Sequence, residues 1–133
     1  HPALREKHII KHPVIWFEHK KQLIKSTEFG TDPIPRYVNS GDNITETIRL
    51  LGSADVIITN SYHGAFWGTL LGRKVIVVEA WSSKFNAMKH RPYFLSKGEN
   101  WKNVIINLQV YNTALDDCID ATQQYWNRVK QCL

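Results

Sequence analysis

A chain of 133 residues with 43% hydrophobic content fits one domain of ordinary size, and its five Trp, five Tyr and five Phe exclude a disordered or low-complexity segment. Lys and Arg number 17 against 12 Asp and Glu, a formal charge of +5 that suits an anionic ligand as well as an ordinary solvated surface. The basic residues are not interleaved with aromatics as a single-strand groove requires, and no zinc-finger or RNP pattern occurs, so no specific nucleic-acid partner is expected.

Cys118 and Cys132 fall on one expected C-terminal helix, roughly 21 Å apart. A disulfide needs Cα atoms within about 7 Å, so both are expected as free thiols in a reducing compartment. No pair of cysteines, or of cysteine and histidine, has zinc-ligand spacing, and no metal is expected. The most apolar segments, VIITN and VIVVEAW, are far shorter than the roughly 20 residues of a membrane helix, and no signal-peptide pattern opens the chain. The expectation is a cytoplasmic protein without a transmembrane segment, with peripheral membrane association left open.

In chain order, VIWFE after Pro13 has the aromatic and β-branched character of a buried strand from Val14 to Glu18. His19 to Ser26, with Leu23 and Ile24 facing inward, is expected as a short helix. TEFGTDPIP then supplies Gly30, Pro33 and Pro35 and marks a surface loop, followed by a weakly signalled strand from Arg36 to Asn39. A capped helix starts at Asn43, with Glu46 three residues on and Ile44, Ile48 and Leu51 at helical spacing, and ends at Gly52 or the Gly52–Ser53 pair.

Ala54 to Thr59 is apolar enough for a strand covered on both faces. A polar NSYHG turn leads into a helix from His63 to Leu71 closed by Gly72, and Lys74 to Glu79 forms the next buried strand. Asn86 to Asn100 reads as irregular, Val104 to Leu108 as a last short strand. From Tyr111, the 3.6-residue recurrence of Leu115, Cys118, Ile119, Thr122, Tyr125, Trp126 and Val129 predicts a long amphipathic helix with its aromatics in the core. Strands alternating with helices over short links give an α/β fold, a Rossmann-like parallel sheet flanked by helices.

Loops leaving the carboxyl ends of neighbouring parallel strands are where such sheets bind ligands. Asn60, Ser61, Tyr62, His63 and Gly64 should therefore share a site with Ser82, Ser83 and Lys84. Asn60, Ser61 and the N–H groups of His63, Gly64 and Ala65 are suited to an anion at a helix amino end, and Gly64 would let a ligand approach the backbone. Simple capping by Asn60 or Ser61 is the alternative. His63 is a candidate proton donor or anion anchor, or else a packed histidine. Lys84 is a candidate mobile cation, and Glu79 a candidate general base or hydroxyl binder. His19, Lys20, Arg36, His90 and Arg91 are weaker candidates, with solvated surface as the preferred reading.

The joint pattern in ADVIITNSYHGAFWGTLLGRKVIVVEAWSSKF resembles the C-terminal half-domain of the polysaccharide pyruvyl transferase family. The matching residues are Ser61, Tyr62, His63, Gly64, Gly72 and Lys84, over about a quarter of the chain; better-characterised members often carry Arg where Ser61 stands. The resemblance implies a two-domain enzyme like the GT-B glycosyltransferases, in which this chain, residues 1–133 opening on His1, is the C-terminal donor-binding half. It implies transfer of a pyruvyl group from phosphoenolpyruvate to a sugar hydroxyl in exopolysaccharide biosynthesis, with no separate cofactor. On that model His63 and Glu79 are catalytic, while Asn60, Ser61, Tyr62, Gly64, Ser83 and Lys84 bind the donor. The partners are an anionic small-molecule donor, a saccharide acceptor, and an N-terminal half-domain or a second copy. A glycosyltransferase half that binds a nucleotide sugar, and a non-catalytic module for an anionic glycan or a protein, are the competing expectations.

Overall fold

Apolar runs such as VIIT and VIVV put hydrophobic side chains on both faces of a strand, so the sheet they form must be covered twice. The computed structural model, which describes residues 1–24, 29–30, 33–80 and 82–132, has this arrangement. Strands β1 (His12–His19), β2 (Arg36–Asn39), β3 (Ala54–Thr59), β4 (Lys74–Val78) and β5 (Tyr93–Leu95) form one all-parallel sheet in the order β2-β1-β3-β4-β5. The helices are α1 (Ile44–Gly52), α2 (Tyr62–Leu70), α3 (Trp101–Val104) and α4 (Ala114–Gln131), with 3-10 turns at Pro2–Arg5, Ser83–Ala87 and Ile105–Asn107. The class is α/β and Rossmann-like, as expected.

One face carries Val14, Trp16, Val56, Ile58, Ile76 and Val78 and is covered by Ile24, Phe29 and Trp101, with Val104, Ile105 and Leu108 packed at its margin. On the other face, Ile15, Phe17 and Ile57 meet Leu51 of α1 and Trp67 of α2, and Val75 and Val77 meet Ala65, Phe85 and Met88. Phe17 is in register with Thr59, and Thr59 with Val77. The loops that begin at His19, Asn60 and Glu79 consequently leave the sheet along one edge.

Local signals set the helix ends. Asn43 Oδ1 accepts a hydrogen bond from the Glu46 amide at 3.1 Å and starts α1, although Ile44 is exposed and only Ile48, Leu51 and Gly52 of that helix are buried. Gly72 follows α2 with φ +72°, the left-handed conformation that favours glycine after a helix.

Four expectations are corrected. His19 to Ser26 is not a helix over its described part: a turn with a bridge between His19 and Gln22 leads to exposed Leu23 and buried Ile24. Ile24 donates its N–H to the buried Glu18 carboxylate and receives Arg36 on its carbonyl, so its backbone groups are spent on an ion pair rather than on helical bonds. Residues 25–28, 31–32 and 81 lie outside the described set, and with them part of the TEFGTDPIP loop. The Val104 to Leu108 segment is the end of α3 and a 3-10 turn: Val104, Ile105 and Leu108 pack against the core on one face of the sheet instead of joining it, and Ile106 is exposed. The irregular stretch contains β5, a three-residue edge strand paired with β4.

Finally, α4 forms but its aromatics are not core. Its first turns pack on α2, whereas from Ala121 to Cys132 only Val129 is other than exposed. Tyr125 and Trp126 are 56% and 53% exposed. Periodicity places apolar residues on one stripe of a helix, but it does not supply the surface that would cover them.

Candidate functional site

In a sheet of order 2-1-3-4-5 the strand order reverses between β1 and β3, where their exit loops diverge and leave a crevice. Here Asn60 fills it. Wholly buried, it accepts the His19 N–H on Oδ1 at 2.7 Å and donates from Nδ2 to the Gln22 carbonyl at 2.6 Å, tying the β1 exit to the end of β3. Ser61 is also buried; its Oγ accepts from the Gly64 amide at 3.3 Å as the cap of α2, and from Asn39 Nδ2 at 3.2 Å. The side chains of Asn60 and Ser61 are thus drawn into the fold rather than offered to a ligand.

Gly64 is corrected in the same direction. A Cβ there would lie 2.5 Å from Phe17 Cδ1 and 2.8 Å from Thr59 Oγ1, so the missing side chain lets α2 seat against β1 and β3 rather than admitting a ligand. The amide bookkeeping shifts with it. Gly64 N–H goes to Ser61 Oγ and Ala65 N–H to the Ser61 carbonyl at 3.0 Å, which leaves the first-turn amides of Tyr62 and His63 as the open donors of α2.

What remains open lies over β3 and β4. Tyr62 opens α2, stacks on Phe66 with ring centroids 5.9 Å apart, and meets the edge of Phe85 at 5.7 Å. Phe85 belongs to the 3-10 turn after β4, which starts where Ser82 Oγ accepts from the Lys84 amide at 3.3 Å. That turn brings the exposed Lys84 Nζ to 5.8 Å from the Tyr62 ring centre, within cation–π range. The two polar loops therefore do meet, and Ser83 is exposed beside Lys84.

His63 is exposed at the first turn of α2, its ring 5.7 Å from Tyr62 and 5.2 Å from Trp67 one turn on. It has no hydrogen-bond partner among the described residues, so both ring nitrogens are available. Glu79 follows β4 at φ +50°, the one non-glycine residue with positive φ among the described residues. Such a conformation costs of order 1 kcal/mol or more and turns the chain sharply out of the strand. Glu79 is half-buried, and its carboxylate makes no hydrogen bond or ion pair among the described residues.

Two residues read as solvated surface are structural. Arg36 pairs with Glu18, which is 2% exposed, and sits 6.0 Å over the Trp16 ring. His90 is mostly buried and its Nε2 lies 3.0 Å from Asp117 Oδ2. Of the neighbours that the sequence reading missed, Trp67 stands four residues from His63 and was legible from helical spacing; Asn39 carried no signal.

Among the described residues, no three His, Cys, Asp or Glu side chains are grouped to hold a metal ion, and no helix is long and apolar enough to cross a membrane. No family model matches the chain, and neither does any curated protein or solved structure.

Proposed function

We propose that the chain is the donor-binding half of a pyruvyl transferase-like enzyme, acting on phosphoenolpyruvate and a sugar. One observation carries the reading: Tyr62 and Lys84, from the loops after β3 and β4, meet at 5.8 Å beside an exposed His63 and the open amides of α2. A cation, two N–H donors and an imidazole at one sheet edge suit a small ligand bearing two anionic groups.

Ketal formation joins two sugar hydroxyls to the central carbon of phosphoenolpyruvate. One hydroxyl proton ends on the methylene carbon, which becomes a methyl group, and the other leaves with the phosphate. His63 delivers the proton to carbon, Lys84 and the Tyr62 and His63 amides hold the phosphate or carboxylate, and Glu79 receives a hydroxyl proton. Asn60, Ser61 and Gly64 act indirectly, by fixing the start of α2.

Saturation-transfer NMR with phosphoenolpyruvate and a panel of nucleotide sugars tests this. Binding of phosphoenolpyruvate, weakened about tenfold by Lys84→Ala, is expected, a loss in line with one charge-assisted contact. Binding of nucleotide sugars alone supports a glycosyltransferase half instead, and binding of neither supports a non-catalytic module.

A further inference from the structure

A cavity of about 230 Å³, lined by Tyr62 but not by Lys84, lies between α2, the first turns of α4 and the segment after the 3-10 turn at Ser83–Ala87. Phe66, Leu70, Met88 and Ala114 give it apolar walls, and Cys118 adds a soft one. An engineered apolar cavity of about 150 Å³ holds benzene, so this one has room for a substituted ring.

Its polar lining is confined and organised. Asp117 Oδ2 accepts from Thr113 Oγ1 at 3.1 Å and faces His90 Nε2 at 3.0 Å, with Lys89 Nζ 3.9 Å away. In the neutral imidazole, donation of the Nε2 N–H to this carboxylate leaves Nδ1 as a lone-pair acceptor. Among the described residues Nδ1 has no hydrogen-bond partner, and the ring is otherwise fixed edge-on to Tyr111 at 5.0 Å. An anionic ligand would meet the Asp117 carboxylate, and a cation would compete with Lys89. A neutral donor fits both groups.

We infer that this cavity binds a small neutral molecule with an aromatic or aliphatic body and one hydroxyl, which donates its hydrogen bond to the Asp117-oriented His90. Nothing in this depends on the donor site, with which it shares only the Tyr62 ring. A purely structural His90–Asp117 pair would clamp α4 to the loop without discriminating between ligands.

The test is titration of the full chain, ¹⁵N-labelled, with 4-ethylphenol and with ethylbenzene. Saturable shifts are expected at the amides of Phe66, Leu70 and Met88, with ethylbenzene binding about tenfold more weakly because the acceptor is then left unpaired. Ala121→Phe, at an exposed position on the cavity mouth, should abolish binding without disturbing the core. His90→Phe should bring the two probes to equal affinity, and Asp117→Asn should narrow their difference. Absence of saturable shifts, equal affinity of the two probes for the unaltered protein, or indifference to Ala121→Phe overturns the inference.

Discussion

Gly64 is where α2 comes closest to the sheet, and the positions of Phe17 and Thr59 leave no space for a methyl group. Gly64→Ala should destabilise the fold by roughly 1–3 kcal/mol in urea denaturation, the usual cost of overpacking. The Glu18–Arg36 pair should respond asymmetrically. Arg36→Met leaves a carboxylate with 3% side-chain exposure without its cation and should cost about 3–5 kcal/mol, as for other broken buried pairs. Glu18→Gln leaves a guanidinium that is 40% exposed and can be hydrated, and it keeps an acceptor for the Ile24 amide. It should cost about 1–2 kcal/mol. Equal losses for the two variants in denaturant titrations would contradict this account. Neither partner's role was readable from the sequence, since a Glu at the end of a strand and an Arg near two prolines carry no local sign of a pair 18 residues apart.

At the level of elements, α2 and β5 show how much depends on single polar side chains. Ser61→Ala removes the cap of α2 and an acceptor for Asn39, and should cost about 1 kcal/mol with faster amide exchange in the first turn. In the turn after β5 the Glu99 carboxylate accepts the Ser96 amide at 2.9 Å and the Tyr93 hydroxyl at 2.7 Å. The Ser96 amide first, and Tyr93 second, hold Glu99 below the usual carboxylate range, while Glu99 raises Tyr93 above the usual phenol value. A lowered carboxylate stabilises the fold above its unfolded value and ceases to do so as pH falls through the folded one. A raised phenol does the reverse, stabilising below its unfolded value and failing as pH climbs through the folded one. Protection of the Ser96 amide should therefore be greatest between the two limits and lost toward acid and strong alkali; Glu99→Gln should remove the acid limb of that profile.

For the whole molecule, the distribution of burial separates a well-covered sheet from a projecting α4. Tyr125→Ser and Trp126→Ser should each leave stability within about 0.5 kcal/mol of the parent in thermal melts, as exposed substitutions do. A loss several times larger would mean that these rings are covered in solution. The sheet edge over β3 and β4 is built differently from the crevice between β1 and β3. Asn60 closes the crevice with two hydrogen bonds, which moves the accessible chemistry toward Tyr62, His63, Glu79 and Lys84.

The sequence by itself determined the alternation of strands and helices, the Asn43 cap, the Gly72 helix end and the meeting of the NSYHG and SSKF loops. Each of these rests on hydrophobic period, backbone preference or the rule that parallel strands share a ligand edge, all readable from neighbouring residues. Tertiary structure alone decided that Asn60 and Ser61 face inward, that Gly64 serves packing, that His90 joins Asp117 and that the aromatics of α4 stay exposed. Those outcomes bring together groups from different elements, such as Asn60 with His19 and Gln22, and depend on strand order and register. A buried polar group must find its partner wherever the fold delivers one, and local pattern does not record where that is.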